Sequence, residues 1–265
     1  LAHYVLPCTT PLERPDLRLA QALRRQQTAT VIDIGRDPSA WPALFESLRR
    51  EPAGLGLRLP EDTAGLPQEP PACVSFVVAA GSIRDLPLAW RALPVIAQVC
   101  SVAEAEKALG AGAGGLIAKG QESGGRVGDE SSFVLLQRVL AMTETLPVRV
   151  PVWCQGGIGL HTAAAAIAGG AFGVVLDSVL SGYPECSLPA QLKAQILSLD
   201  GSEIRTVAGH QVFSPSRDAT FDELDGAGVA QALHRLWREC GKLRFPRIGR
   251  HALVGSDQHT RGQAL

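Results

Sequence analysis

The stretch "PVIAQVCSVAEAEKALGAGAGGLIAKG", residues 94–120, decides the fold. Its ends, PVIAQVC (94–100) and GGLIAKG (114–120), are short apolar runs bounded by Pro and Gly, and they read as buried strands. Between them SVAEAEKALGAGA (101–113) sets apolar residues three and four apart, the pattern of a helix with one buried face. Ser101 with Glu104 three positions on forms a capping-box signature at its start. Strand, helix and strand in so short a span predict two parallel neighbours joined by a crossover helix.

The same alternation continues in both directions. Further strands are expected at HYVLP (3–7), ATVIDIG (29–35), LGLRLP (55–60), CVSFVVAA (73–80), VPVWCQG (150–156) and FGVVLDS (172–178), making eight. Helical periodicity fills the gaps in DLRLAQALRRQQ (16–27), SAWPALFESLRR (39–50), SSFVLLQRVLAMTE (131–144) and LHTAAAAIAGGA (160–171). Runs this continuously apolar belong to strands covered on both faces. Eight strands with helices between them predict an α/β fold, a (β/α)8 TIM barrel. An open doubly wound sheet is the competing layout, but no dinucleotide fingerprint follows the first strand.

After residue 180 the pattern changes. LPAQLKAQILSL (188–199) reads as the last barrel helix, EIRTVAGHQVFS (203–214) as an irregular hairpin and GVAQALHRLWREC (228–240) as one more amphipathic helix. The expected organisation is one barrel domain over 1–240, with a short C-terminal cover from about 200, and a polar tail or interdomain linker over 241–265.

Composition narrows the function. The chain has 265 residues, 46% hydrophobic and 19% charged, which suffices for one large core. Its 25 basic and 26 acidic residues leave a formal charge of -1, so no overall field attracts nucleic acid or an anionic membrane. Six cysteines (Cys8, Cys73, Cys100, Cys154, Cys186, Cys240) show no CxxC or zinc-finger spacing and read as reduced, buried hydrophobes of a cytoplasmic protein. Histidines 3, 234, 251 and 259 have no metal-ligand spacing, so no metal is expected. No apolar run reaches the roughly eighteen residues of a membrane span, and the start lacks the character of a signal peptide. Leu1 in place of Met suggests a piece of a longer chain.

In a barrel the chemistry lies at the C-terminal ends of the strands. AKGQESGGRVG (118–128) follows the sixth strand, and its Gly124 and Gly125 permit close approach of a flat ligand. QGGIG (155–159) follows the seventh and opens directly onto a helix, so free amides at Gly156 and Gly157 make an anion site. Asp177 and Ser178 end the eighth strand beside it. Glycines at strand ends also serve as plain turn residues; two clusters on consecutive loops of the ligand face favour a phosphate-bearing ligand.

These loops resemble the nitronate monooxygenase (2-nitropropane dioxygenase) family of FMN-dependent barrels, which includes flavin-type enoyl-ACP reductases. The family's sixth loop, A-x-G-x-E-A-G-G-H, is matched by Ala118, Gly120, Glu122, Gly124 and Gly125, and its seventh, G-G-I, by Gly156, Gly157 and Ile158. The likeness is best over about 90–200, and it is particularly close to barrel segments inside bacterial polyketide and polyunsaturated fatty acid synthases. It implies FMN across the barrel mouth, its phosphate on the amides of Gly156, Gly157, Asp177 and Ser178, and its ring facing Gly120 to Gly125. Gln98 and Gln155 stand at inner strand ends near the ring edge, or serve as satisfied structural amides. The expected activity is an FMN-dependent oxidoreductase of enoyl reductase type within such a synthase. NADPH or NADH would be the electron donor, a small-molecule or carrier-bound acyl group the substrate, and other synthase domains the partners.

The sequence departs from the family at three points. Arg126 stands where the family has its catalytic histidine, and a guanidinium stays charged and only donates. It would steady a carboxylate, phosphate or enolate oxygen, or else pair with Asp129 or Glu130 across the loop. His210 in the cover is the substitute acid, while His161 either caps its helix or adds a donor to the phosphate. Lys119 points into the mouth or pairs with a carboxylate such as Glu122. Asp177 replaces a glycine and repels a phosphate unless it turns into the barrel wall. LPCTTPLERP (6–15) replaces the first-strand Gly-Met turn. A catalytically degenerate barrel that serves as a docking domain of the synthase, and a non-redox phosphate-binding barrel, are the alternatives.

Overall fold

The computed structural model describes residues 5–9, 17–35 and 37–187, together with 190, 193–194 and short strands over 204–207, 210–213, 247–248, 251–252 and 254–255. Eight parallel strands close into a barrel: β1 (Val5–Thr9), β2 (Val31–Asp33), β3 (Leu55–Leu59), β4 (Val74–Ala79), β5 (Val95–Val99), β6 (Gly115–Lys119), β8 (Val152–Gln155) and β9 (Gly173–Leu176). Closure is made by β9 against β1, with Val5 opposite Val174 and Leu6 opposite Val175. A two-residue strand, β7 (Gly125–Arg126), interrupts the loop after β6 and lies outside the barrel. The helices on the outside are α1 (Leu17–Arg25), α2 (Trp41–Leu48), α3 (Leu88–Arg91), α4 (Val102–Gly110), α5 (Ser132–Glu144) and α6 (Leu160–Ala168).

The closed barrel is the architecture expected from the sequence. Period-two alternation separates two cores. Outward residues such as Leu57, Val77, Ala97, Leu116 and Cys154 pack under the helices. Inward residues, among them Leu6, Phe76, Ile96, Ile117, Trp153 and Val175, fill the barrel. Two glycines make room for the two large rings. A Cβ on Gly56 would lie 2.3 Å from the Phe76 ring, and one on Gly115 2.9 Å from Trp153. Burying Trp153 completely contributes on the order of 3 kcal/mol from apolar area alone.

Several short elements among the described residues were not anticipated, namely α3, β7 and the strands within the expected tail. α3 is a single turn after the 3-10 turn Ile83–Asp85, too short for periodicity to reveal. The glycine loop after β6 contains β7, which pairs antiparallel with β11 (His210–Phe213) of the cover, while β10 (Ile204–Val207) completes the expected hairpin. Of the helix expected over 188–199, residues 190, 193 and 194 are described and helical; the helix expected over 228–240 lies outside the described residues. Within the expected tail, β12 (Arg247–Ile248) pairs with β13 (His251–Ala252), and β14 (Val254–Gly255) pairs with β11. Cys8, Cys73, Cys100, Cys154 and Cys186 are free and buried; Cys240 lies outside the described residues. Among the described residues no helix is long and apolar enough to cross a membrane.

Candidate active site

The alternation that fills the barrel with apolar side chains turns polar at its C-terminal end. The last inward positions are Asp33 on β2, Arg58 on β3, Gln98 on β5, Lys119 on β6, Gln155 on β8 and, just past β9, Asp177. All but the half-buried Asp177 are buried, Asp33 to 2% and Arg58 to 3% exposure. Five of them form one chain of hydrogen bonds. Arg58 Nη1 donates to Asp33 Oδ2 at 2.8 Å, while its Nε and Nη2 donate to Gln98 Oε1 at 3.1 and 2.8 Å. Gln98 Nε2 donates to Gln155 Oε1 at 2.6 Å, and Gln155 Nε2 to Asp177 Oδ2 at 2.8 Å. Asp33 also accepts from the Gly35 amide at 3.0 Å.

Gln98 and Gln155 are therefore locked by protein partners, which orients their amides. Asp177 turns its carboxylate toward Gln155 across the end of the barrel, where it accepts the hydrogen bond of that amide. Asp33 and Arg58 were missed by sequence reasoning. The signal was present in "VIDIG" and "LGLRLP", where a charge interrupts an apolar strand at an inward position. Cys8 on β1 joins the same layer, where burial pushes its thiol well above the ordinary range, so it stays protonated.

The seventh-strand turn is built around Ser132, the first residue of α5. Its hydroxyl donates to Glu122 Oε2 at 2.6 Å and lies 3.1 Å from the Gln155 carbonyl and 3.0 Å from that of Gly156. A Cβ on Gly156 would come within 2.4 Å of this hydroxyl, and one on Gly120 within 2.2 Å of the Ser132 nitrogen. Both glycines are thus required by the protein's own packing. Glu122 caps α5 by also accepting from the Ser132 amide at 2.8 Å.

Gly156 and Gly157 take φ values of 115° and 62°, conformations that suit glycine. Thr162 takes up the Gly159 amide at 2.7 Å, whereas among the described residues the amides of Gly156 and Gly157 make no hydrogen bond to protein acceptors. The turn therefore keeps two donors at the start of α6, facing the loop of Asp177 and Ser178. Ser178 begins the 3-10 helix Ser178–Gly182. His161 is exposed on the first turn of α6, and the helix start is closed by Thr162 instead.

Arg126 is where the structure most changes the expectation. It does not pair with Asp129 or Glu130; Glu130 is taken by Arg138. Its Nη1 and Nη2 grip the two oxygens of Glu104 at 2.7 and 3.2 Å, and its Nε lies 3.7 Å from Glu61. Glu104 in turn accepts from the Cys100 amide at 2.8 Å, one residue before the amide that a capping box would use. Burial pushes Glu104 up, but the bonds from Arg126 and Cys100 outweigh it and hold the carboxyl below its ordinary range. Burial works against the Arg126 cation too, and the bonds to Glu104 outweigh it, raising its value further. The guanidinium is consumed in tying the loop after β6 to the first turn of α4 and to the loop after β3. Gly124 and Gly125 are buried beside it, and Gly125 has a φ of 73°. In the β7–β11 pair, His210 lies opposite Arg126 and Gln211 opposite Gly125, so the two residues expected to act share one register position.

The arrangement offers an anion turn, an ordered polar floor and a strap bearing Arg126 across from His210. Among the described residues no cluster suits a metal ion. The sequence model of the nitronate monooxygenase family matches residues 67–211, which include β4 to β10 and the first two residues of β11. Among solved structures the fold is similar to FabK from Thermotoga maritima, with a TM-score of 0.68 and 22% identity over 90% of this chain and 81% of that one. A point mutant of FabK matches with a TM-score of 0.70 at 22% identity over 98% and 86%. Nitroalkane oxidase from Streptomyces ansochromogenes matches with 0.61 at 18% identity over 77% and 75%. No curated protein matches the chain significantly.

Proposed function

Because the chain belongs to the nitronate monooxygenase family, we propose that it is an FMN-binding oxidoreductase domain of enoyl reductase type, acting on a carrier-bound acyl thioester within a polyketide or fatty acid synthase. The observation that carries this reading is the pair of unengaged amides at Gly156 and Gly157, which open the α6 helix beside the Asp177–Ser178 loop. These residues fit a flavin phosphate: the turn offers donors and helix-start polarity, and Asp177 is drawn toward Gln155. When bound, FMN supplies hydride transfer from NADPH or NADH to an unsaturated carbon.

The chain's own residues would position and protect. Gln98 and Gln155 present fixed amides at the barrel mouth and would orient a bound flavin by hydrogen bonding, with Arg58 holding Gln98 in place from within the same polar layer. Arg126 holds the strap closed over the mouth through Glu104 and Glu61 and takes no proton. His210 is assigned delivery of the proton to the α-carbon, which completes reduction of the enoyl double bond and leaves the thioester intact.

Titration of the purified chain with FMN, followed by flavin absorbance, tests the reading. Bound flavin that NADPH or NADH reduces and a crotonyl thioester reoxidises is expected; absence of bound flavin at saturating FMN overturns it. One observation favours a second reading, a docking domain of the synthase without turnover. Arg126, at the position of the family's catalytic histidine, is occupied by Glu104. In that case flavin binds or fails to bind, but no thioester reoxidises it.

A further inference from the structure

The outer layer of the barrel is thin over β4 and β5, because α3 is only one turn long and leaves the side of α4 uncovered. The result is a groove of about 530 Å³ between the turn at Ile83–Asp85 and α4. Its floor is Ala80, Ala97, Val99 and Ala108, side chains too short to obstruct a thin, extended ligand. Gln98 and Arg126 also line it, and both belong to the mouth described above.

Charge on the rim is unbalanced. Arg84 and Lys107 line the groove, are exposed, and make no direct ion pair among the described residues, while Lys107 acts at longer range on Glu104. The carboxylate that lines the same groove, Glu104, is already held by Arg126. A narrow apolar floor whose lining carries the cations of Arg84, Lys107 and Arg126 against the one carboxylate of Glu104 suits a slender chain that ends in a phosphate.

We propose that this groove takes the phosphorylated pantetheine arm of the carrier-bound substrate, with its phosphate between Arg84 and Lys107 and its thioester end directed toward Gln98 at the mouth. The assignment rests on the enoyl reductase reading but is tested apart from it. The probes are pantetheine 4′-phosphate and unphosphorylated pantetheine, titrated calorimetrically into the purified full chain without FMN.

The phosphorylated probe binds at least about tenfold more tightly than pantetheine, as expected for contacts to two cations. In Arg84→Ala/Lys107→Ala that preference disappears, and Lys107→Glu weakens the phosphorylated probe further. Both residues are exposed and make no direct ion pair among the described residues, and a thermal melt verifies that the variants fold. Equal affinity of the two probes, a double variant that binds like the wild type, or displacement of the probe by NADPH overturns the proposal. Phosphate-dependent binding in a chain that takes no FMN leaves the groove standing while the flavin reading falls. FMN binding without phosphate-dependent binding does the reverse.

Discussion

Ser123 is buried to 2% and its hydroxyl has no hydrogen-bond partner among the described residues. It stands where the family pattern has alanine, so close to Gly156 that a Cβ there would lie 2.7 Å from its hydroxyl. A buried, unsatisfied hydroxyl costs free energy, so Ser123→Ala is expected to stabilise the chain by about 1 kcal/mol. The melting midpoint should rise by roughly 2–4 °C; a fall would show that the hydroxyl has a partner in solution. The Arg126–Glu104 contact is the second feature at this scale. It is bidentate but a third exposed, so a double-mutant cycle of Arg126→Ala and Glu104→Gln should show a coupling of only about 1 kcal/mol. Because Glu104 is held below its ordinary value, the unfolded chain binds its proton first as the pH falls. The contribution is complete above about pH 5 and is lost as the pH drops through the folded value, since free carboxylates titrate near 4.3. Denaturation midpoints between pH 7 and pH 3 should therefore fall more steeply in the wild type than in Glu104→Gln.

At the scale of elements, α5 is the post on which the ligand face is mounted. Its first turn takes a cap from Ser131 and a second from Glu122, and Ser132 reaches the carbonyls of Gln155 and Gly156. One helix start thereby sets the distance between the sixth and seventh loops. Glu122→Ala removes the carboxylate from both Ser132 donors and should cost about 1 kcal/mol, the usual worth of a cap. Hydrogen exchange should speed up in the first turn of α5 and in the Gly156 turn, and not in α1 or α2. Exchange confined to α5 would show that the two loops are not coupled through Ser132. The strap β7 illustrates why part of this was hidden: two residues have no periodicity, and their partner strand β11 lies far along the chain.

Across the whole molecule, the polar chain from Asp33 to Asp177 links β2, β3, β5, β8 and the end of β9. Breaking a buried ion pair from one side strands the other charge. Arg58→Leu should therefore destabilise the barrel by about 3–5 kcal/mol, while Asp33→Asn/Arg58→Leu recovers part of the loss. Guanidinium denaturation of the three chains checks this, and a near-neutral Arg58→Leu would mean that the layer is wetter than its burial indicates.

The sequence by itself determined the eight strands, their parallel order and the loops that face a ligand. It could do so because hydrophobic periodicity and glycine turns are local properties, written within a few residues of where they act. It also carried, unread, the inward charges of Asp33 and Arg58, each breaking an apolar strand. Tertiary structure alone decided that Arg126 meets Glu104 and Glu61, that Gln98 meets Gln155, and that Gly120 and Gly156 yield space to Ser132. Those partners come from different loops and strands, and a side chain's choice among several nearby charges is made by barrel closure, which no local pattern encodes.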